Sequence, residues 1–157
     1  MNMKYFGKEW YYNNRNKDYV YSEEQVAYLD YENAILPNWY KRISLHDSYI
    51  VNVKKRSKEL VLELEYDDQI KTKYSIVIYN YQILESCSLI NSTIVSNEVY
   101  YKNGKVEFHI MVDLYEKGEV KLEYFTLICD SLRIRFKHPI LARLRGFPTK
   151  NLVLDAK

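Results

Sequence analysis

The sequence predicts an α+β domain in which a predominantly antiparallel β-sheet meander of about six to eight strands carries one N-terminal helix packed on it. Three observations carry this prediction. From Ser44 onward apolar residues recur with a period of two, and β-branched and aromatic types dominate. Asn103-Gly104 stands between Val99-Tyr100-Tyr101 and Val106, a strong hairpin signal because both central positions of a type I′ turn need positive φ. Ahead of the sheet, Ser22-Glu23-Glu24-Gln25 has the form of a capping box, with Ser22 accepting from the Gln25 amide and Gln25 reaching back to the Ser22 amide.

Residues 1–43 form the aromatic N-terminus and helix. Tyr5, Phe6, Trp10, Tyr11 and Tyr12 open the chain, and the polar stretch 13–18 reads as a loop. In the helix that follows, Val26, Leu29 and Asn33 share one face and Ala34 and Ile35 close it. Pro37 ends the run by pushing residue 36 out of the α region. Residues 44–136 form the antiparallel sheet. Leu60, Leu62, Leu64 and Tyr66 alternate with Val61, Glu63 and Glu65. Val106, Phe108, Ile110, Val112 and Leu114 alternate with Glu107, His109, Met111 and Asp113, and Leu132, Ile134 and Phe136 with Ser131, Arg133 and Arg135. One face of each run is expected to be wet. Tyr66-Asp67-Asp68-Gln69, Lys102-Asn103-Gly104-Lys105 and Glu116-Lys117-Gly118-Glu119 are the turn signals. Residues 137–157 form a basic extension holding at most one helical turn, over residues 140–144, and a tail, Leu152-Val153-Leu154, suited to an edge strand.

Composition narrows the functional classes. A chain of 157 residues, 47% apolar and 28% charged, reads as one domain with one core. The longest apolar runs, such as residues 74–84, fall short of the ~20 residues that cross a bilayer, so no membrane association is expected. The opening residues lack an apolar signal region, which makes the cytoplasm the expected location. Cys87 and Cys129 have no CxxC partner and read as buried, reduced thiols. Charge is distributed unevenly: residues 131–154 carry Arg133, Arg135, Lys137, Arg143, Arg145 and Lys150 without one acid, whereas residues 1–130 are net acidic.

Nucleophile elbow, phosphate-binding loop, dinucleotide fingerprint and zincin signatures are all absent, and only 4 glycines are available for a backbone cradle. No cofactor and no metal is therefore expected. If the chain were a small hydrolase or metal-dependent enzyme, His46, Asp47, Glu107 and His109 would be its working groups. Adjacent strand residues point to opposite faces, however, so His46 and Asp47 would not address one substrate, and His46 is expected to pack under the helix. Glu107, His109 and Asp113 would share one polar face, the beginning of a metal site or simply a solvated surface.

Tyrosine, at 17 residues, is the unusual feature of composition, and outward tyrosine supplies contact area at low entropic cost. The leading functional expectation is a non-enzymatic protein-binding module acting by occlusion through Trp39, Tyr40, Tyr100, Tyr101, Arg133 and Arg135. A protein is its expected partner, an acidic one if the basic segment takes part; the alternative reading of Arg133 and Arg135 is the solvated face of a half-buried strand. Nucleic acid is disfavoured because the first 130 residues are net acidic. A structural homo-oligomer built through an exposed sheet edge is a further reading.

Met3-Lys4-Tyr5-Phe6-Gly7-Lys8-Glu9-Trp10-Tyr11 and Leu45-His46-Asp47-Ser48-Tyr49-Ile50 resemble a family of uncharacterised Bacillus and Clostridium proteins with this opening and a His-Asp pair ahead of the first strand. The layout from Glu98-Val99-Tyr100-Tyr101 to Leu127-Ile128-Cys129-Asp130-Ser131-Leu132 is similar too, so the resemblance covers most of the chain. That family implies no activity. The layout also looks like the small immunity proteins that bacteria keep beside polymorphic toxins, which would imply a role in blocking one cognate toxin. The segment before His46-Asp47 is shorter here than in that pattern.

Overall fold

Alternation becomes a wholly antiparallel sheet, nine strands wide among the described residues, in the order β4-β7-β6-β5-β1-β2-β3-β8-β9. The structure, a computed structural model, describes residues 3–14 and 21–155. Its strands are β1 (Ser48–Lys55), β2 (Glu59–Tyr66), β3 (Lys73–Tyr79), β4 (Gln82–Glu85), β5 (Ser92–Lys102), β6 (Lys105–Glu116), β7 (Glu119–Cys129), β8 (Ser131–Phe136) and β9 (Val153–Asp155). Helices α1 (Lys8–Asn14), α2 (Glu23–Ile35) and α3 (Asn38–Arg42) precede the sheet, and α4 (Pro139–Leu144) lies between β8 and β9.

The sheet consists of two meanders, β1-β2-β3 and β5-β6-β7, rather than one. They meet through only two paired positions, Tyr49 with Thr93 and Ile50 with Ser92. The sheet folds over at this narrow joint, bringing β8 and β9 against β6. The main core lies inside the fold, where Ile50, Leu62, Ile76, Phe108, Ile110, Leu127, Ile134 and Leu154 are all buried. The strand count exceeds the expectation because β4, at four residues, is too short to show alternation, while β9 takes the edge position expected of the C-terminal tail. β4 also leaves β3 altogether and pairs with β7 at the far edge. The turns agree with the sequence: Asn103 and Gly104 have φ of 51° and 71°, and Lys117 and Gly118 have 51° and 84°, as two-residue hairpins require.

A second apolar cluster covers the other side of β5-β6-β7. Met3, Val95, Met111, Leu122 and Tyr124 pack there with Phe6 and Tyr11. Gly7 is fixed by this approach, because a Cβ there would sit 2.8 Å from the Tyr124 hydroxyl. β6 is consequently buried on both faces along most of its length, and the expectation of a wet face on this strand is corrected. α2 begins with the capping box, Ser22 Oγ accepting from Gln25 N at 3.2 Å and Gln25 Oε1 from Ser22 N at 2.9 Å. Its buried residues are Gln25 and Tyr28; Val26 and Ile35 are exposed. This corrects the expected apolar face, since what α2 meets is a polar strand edge. Asn13 and Asn14 close α1, and residues 15–18 of the expected loop lie outside the described residues.

No helix among the described residues is long and apolar enough to cross a membrane.

Candidate functional site

The histidines of the conditional enzyme reading lie in different elements, His46 in the turn before β1 and His109 within β6. His46 and Asp47 sit in the turn before β1, both exposed, with His46 Nδ1 2.8 Å from Asp47 Oδ2. They meet because Asp47 has φ of 64°, which takes the pair out of strand geometry, so neighbours that would diverge converge instead. His46 faces solvent and does not pack under a helix. Asp47 N donates to Ile94 O, and Ile94 pairs with Val112, three residues along β6 from His109, a separation of roughly 10 Å.

His109 is buried, with 2% of its surface exposed. Its Nε2 donates to Glu107 Oε1 at 2.7 Å, its Nδ1 lies 3.2 Å from Thr126 Oγ1, and the Tyr100 ring meets it edge-on at 5.7 Å. Glu107 is buried as well, so the solvated face expected for this pair is corrected: the N-terminal segment and α2 cover it. Beside it stands Glu98, fully buried and paired in register with His109. Glu98 Oε1 accepts from the amides of Tyr5 (2.8 Å) and Phe6 (2.7 Å), and Oε2 accepts from the Lys4 amide (3.0 Å) and the Tyr100 hydroxyl (2.7 Å). Four donors on one carboxylate form a latch that ties the start of the chain to β5. Burial raises the Glu32 carboxyl above its ordinary value, with the Tyr28 hydroxyl opposing, and burial likewise pushes up the Tyr28 and Tyr100 hydroxyls. Both nitrogens of His109 and both oxygens of Glu98 are engaged by protein groups. Among the described residues no group of three or more His, Cys, Asp or Glu is placed to hold a metal ion.

The expected aromatic contact surface is dispersed. Tyr40 is buried in the main core with its hydroxyl bonded to the Asn97 side chain, so it offers nothing to a partner. Trp39 is half-buried against the same core. Tyr100 and Tyr101 are half-buried beside α2, where Tyr100 packs 5.4 Å from Tyr28, and the Tyr101 amide donates to Tyr31 Oη at 3.0 Å. Alternation places the two rings on opposite faces: Tyr100 turns outward under Tyr28 of α2, and Tyr101 packs against the main core. Arg133 and Arg135 are exposed on the outer face of β8; Arg133 lies 6.0 Å from the Tyr79 ring and Arg135 donates to Tyr79 Oη at 3.4 Å. Burial raises the Cys87 and Cys129 thiols to about 11 and about 12, leaving both as packing groups.

A different surface emerges at the C-terminal end of β8. α4 starts with Pro139 at its first position and stops at Gly146, whose φ is 85°. It buries only Ala142 and turns Ile140 (74% exposed), Leu141 and Leu144 (79%) to solvent. Ile70, from the β2–β3 turn and 68% exposed, stands across from Leu141 and Leu144, and a groove of about 370 Å³ separates the two elements. An ion pair ties the two walls together: Arg145 Nη1 lies 2.9 Å from Asp68 Oδ2, and the same guanidinium bonds the Thr72 hydroxyl. Asp68 also accepts from the Thr72 amide and hydroxyl at 3.0 and 2.9 Å. Burial alone would raise the Asp68 carboxyl, but the Thr72 donors and Arg145 outweigh it and hold it below its ordinary value. Phe147 anchors the following loop by stacking on Tyr66 at 5.2 Å. Lys73 and Lys137 rim the corner, joined by the bond from Lys137 N to Lys73 O, and lead back to Arg135 and Arg133. Sequence reading noted the basic segment but missed the apolar corner; the signal available was three aliphatics within a six-residue helix too short to bury them all.

No family model matches the chain, and neither the curated proteins nor the solved structures give a match.

Proposed function

We propose that the chain is a non-enzymatic protein-binding module whose contact surface is the corner formed by α4 and the β2–β3 turn. The observation that carries this reading is the exposure of Ile70, Ile140, Leu141 and Leu144 on one corner within the basic C-terminal segment and the lysines of the β2–β3 turn. Exposed aliphatics scattered singly are ordinary, whereas a contiguous group rimmed by charge is characteristic of interaction sites. The engagement of both oxygens of Glu98 and both nitrogens of His109 by protein groups supports a structural role for the groups most suited to chemistry. An immunity-type role, with a toxin as partner, is the form of this reading that the sequence layout implies.

The test compares the tagged chain with its Ile140→Ser/Leu144→Ser variant as baits in extracts of the source cells. Both side chains are exposed, so the variant should keep the fold, checked by an unchanged thermal midpoint. A stoichiometric partner held by the first and released by the second is the expected result. A partner held equally by both would remove the corner from the interface.

A further inference from the structure

We infer that the corner accepts an acidic amphipathic helix of a protein partner, its aliphatic side chains seated between α4 and the β2–β3 turn and its carboxylates over the outer edge of β8. The inference rests on reading the corner as a contact surface and adds the chemistry of what binds there.

Shape sets the apolar half. A groove of about 370 Å³ walled by Ile70, Leu141 and Leu144 admits one or two aliphatic side chains, which is how helix-in-groove recognition anchors itself. Charge sets the other half. Arg145 is engaged with Asp68, and Lys71 with Asp67 at 3.0 Å, so those acids are neutralised at the rim. On the neighbouring outer face Glu63 is held by Lys54 at 2.6 Å and Asn52 at 3.1 Å, and Glu65 stands directly across from Lys73 in the β2–β3 register. Lys73, Lys137 and Lys150 have no ion-pair partner among the described residues, and Arg143 reaches only the Thr149 hydroxyl. With Glu65 set against Lys73, the cations Lys137, Arg143 and Lys150 still leave this end of the molecule with a positive surplus around the apolar slot. A partner that filled the slot with a basic or neutral helix would leave those cations facing like charge or losing water without compensation. An acidic helix with aliphatic residues at i, i+3 and i+4 answers both halves at once.

The experiment measures fluorescence anisotropy of labelled helical peptides with the full chain. Three probes are used: a Leu/Glu amphipathic helix, the same apolar stripe with Lys in place of Glu, and the acidic helix with its Leu replaced by Ser. Binding of the first is expected at least ~10-fold tighter than either of the others, weakening at least ~10-fold as ionic strength rises from about 0.05 to about 0.5 M. Leu144→Asp and the pair Lys73→Glu/Lys137→Glu should each weaken it at least ~10-fold with unchanged thermal midpoints, the first through the slot and the second through charge. Equal affinity for the acidic and basic helices, or indifference to the lysine pair, overturns the inference. So does binding to vesicles of phosphatidylserine in phosphatidylcholine through the same residues without binding to the acidic helix. A concentration-dependent dimer abolished by Leu144→Asp would also overturn it, assigning the corner to a second copy of the chain. Loss of a cellular partner by the Ile140→Ser/Leu144→Ser bait combined with no peptide binding would overturn the acidic-helix chemistry while leaving the corner as the contact surface.

Discussion

Single side chains in this protein do backbone work. β1 pairs with β5 over only two positions, so the β5 amides beyond Ile94 on that edge lack a strand partner. Tyrosine hydroxyls from α2 accept from them instead: Val99 N to Tyr28 Oη at 2.9 Å and Tyr101 N to Tyr31 Oη at 3.0 Å. A buried amide left without an acceptor costs about 1–3 kcal/mol. Tyr28→Phe should therefore lower stability by about 1–2 kcal/mol, read as a shift in urea midpoint with unchanged slope, and should speed hydrogen exchange at Val99. Glu98→Gln keeps the shape of its side chain but gives up the charge and turns one acceptor into a donor facing an amide. A loss of about 2–3 kcal/mol is expected, together with earlier proteolysis of the N-terminal segment. A stability change within experimental error would show that the latch is redundant with the apolar cluster of Met3, Phe6 and Tyr124.

At the scale of elements, α4 is too short to hold itself and depends on what pins its ends. The Asp68–Arg145 pair is one pin, and Arg42 donating to Gly146 O at 2.9 Å is another. Because the Asp68 carboxyl is held below its ordinary 3.8, its contribution is full above that value and is lost as pH falls through the lowered folded value. Asp68→Asn should destabilise the neutral-pH protein by about 1 kcal/mol and flatten the acid limb of stability against pH. The same variant should raise hydrogen exchange across residues 139–146 while β5 to β7 keep their protection. If exchange rises uniformly, α4 is not an independently opening unit. β9 is the second short element with a large role. Leu152 and Leu154 are both buried, and each such side chain contributes about 1.5–3 kcal/mol. Deleting residues 151–157 should cost roughly 3–6 kcal/mol and strip the cover from the β8 edge, so the shortened chain should self-associate on size exclusion.

The whole molecule is a folded-over sheet with two apolar layers, one enclosed by its own strands and one roofed by the N-terminal segment and α1. This arrangement explains why the candidate chemistry is buried and the candidate contact surface is not. β6 runs through the middle of the roofed half, so polar residues on its outer side, Glu107 and His109, lose access to water and must bond one another. The far half, β1-β2-β3-β8-β9, has its outer face open, and Arg133 and Arg135 keep their charge in solvent there. Covering elements are concentrated at one end of the sheet, and the C-terminal corner at the other end carries its aliphatics exposed.

Much of this architecture was legible in the order of residues. Alternation in 60–66 and 132–136 assigned the right residues to the core face, the Asn-Gly and Lys-Gly turns set two hairpins, and Ser22 with Gln25 marked the start of α2. These are local matters: φ preferences, a capping geometry and a period of two all act within a few residues of chain. Alternation names the two faces of a strand but says nothing of what lies over each. The burial of His109 and Glu107, the enclosure of Tyr40, the separation of His46 from His109 and the crossing of β4 to β7 depend on contacts between distant segments. Only the tertiary structure decided them, because covering a polar face is a property of the partner element and not of the strand that bears it.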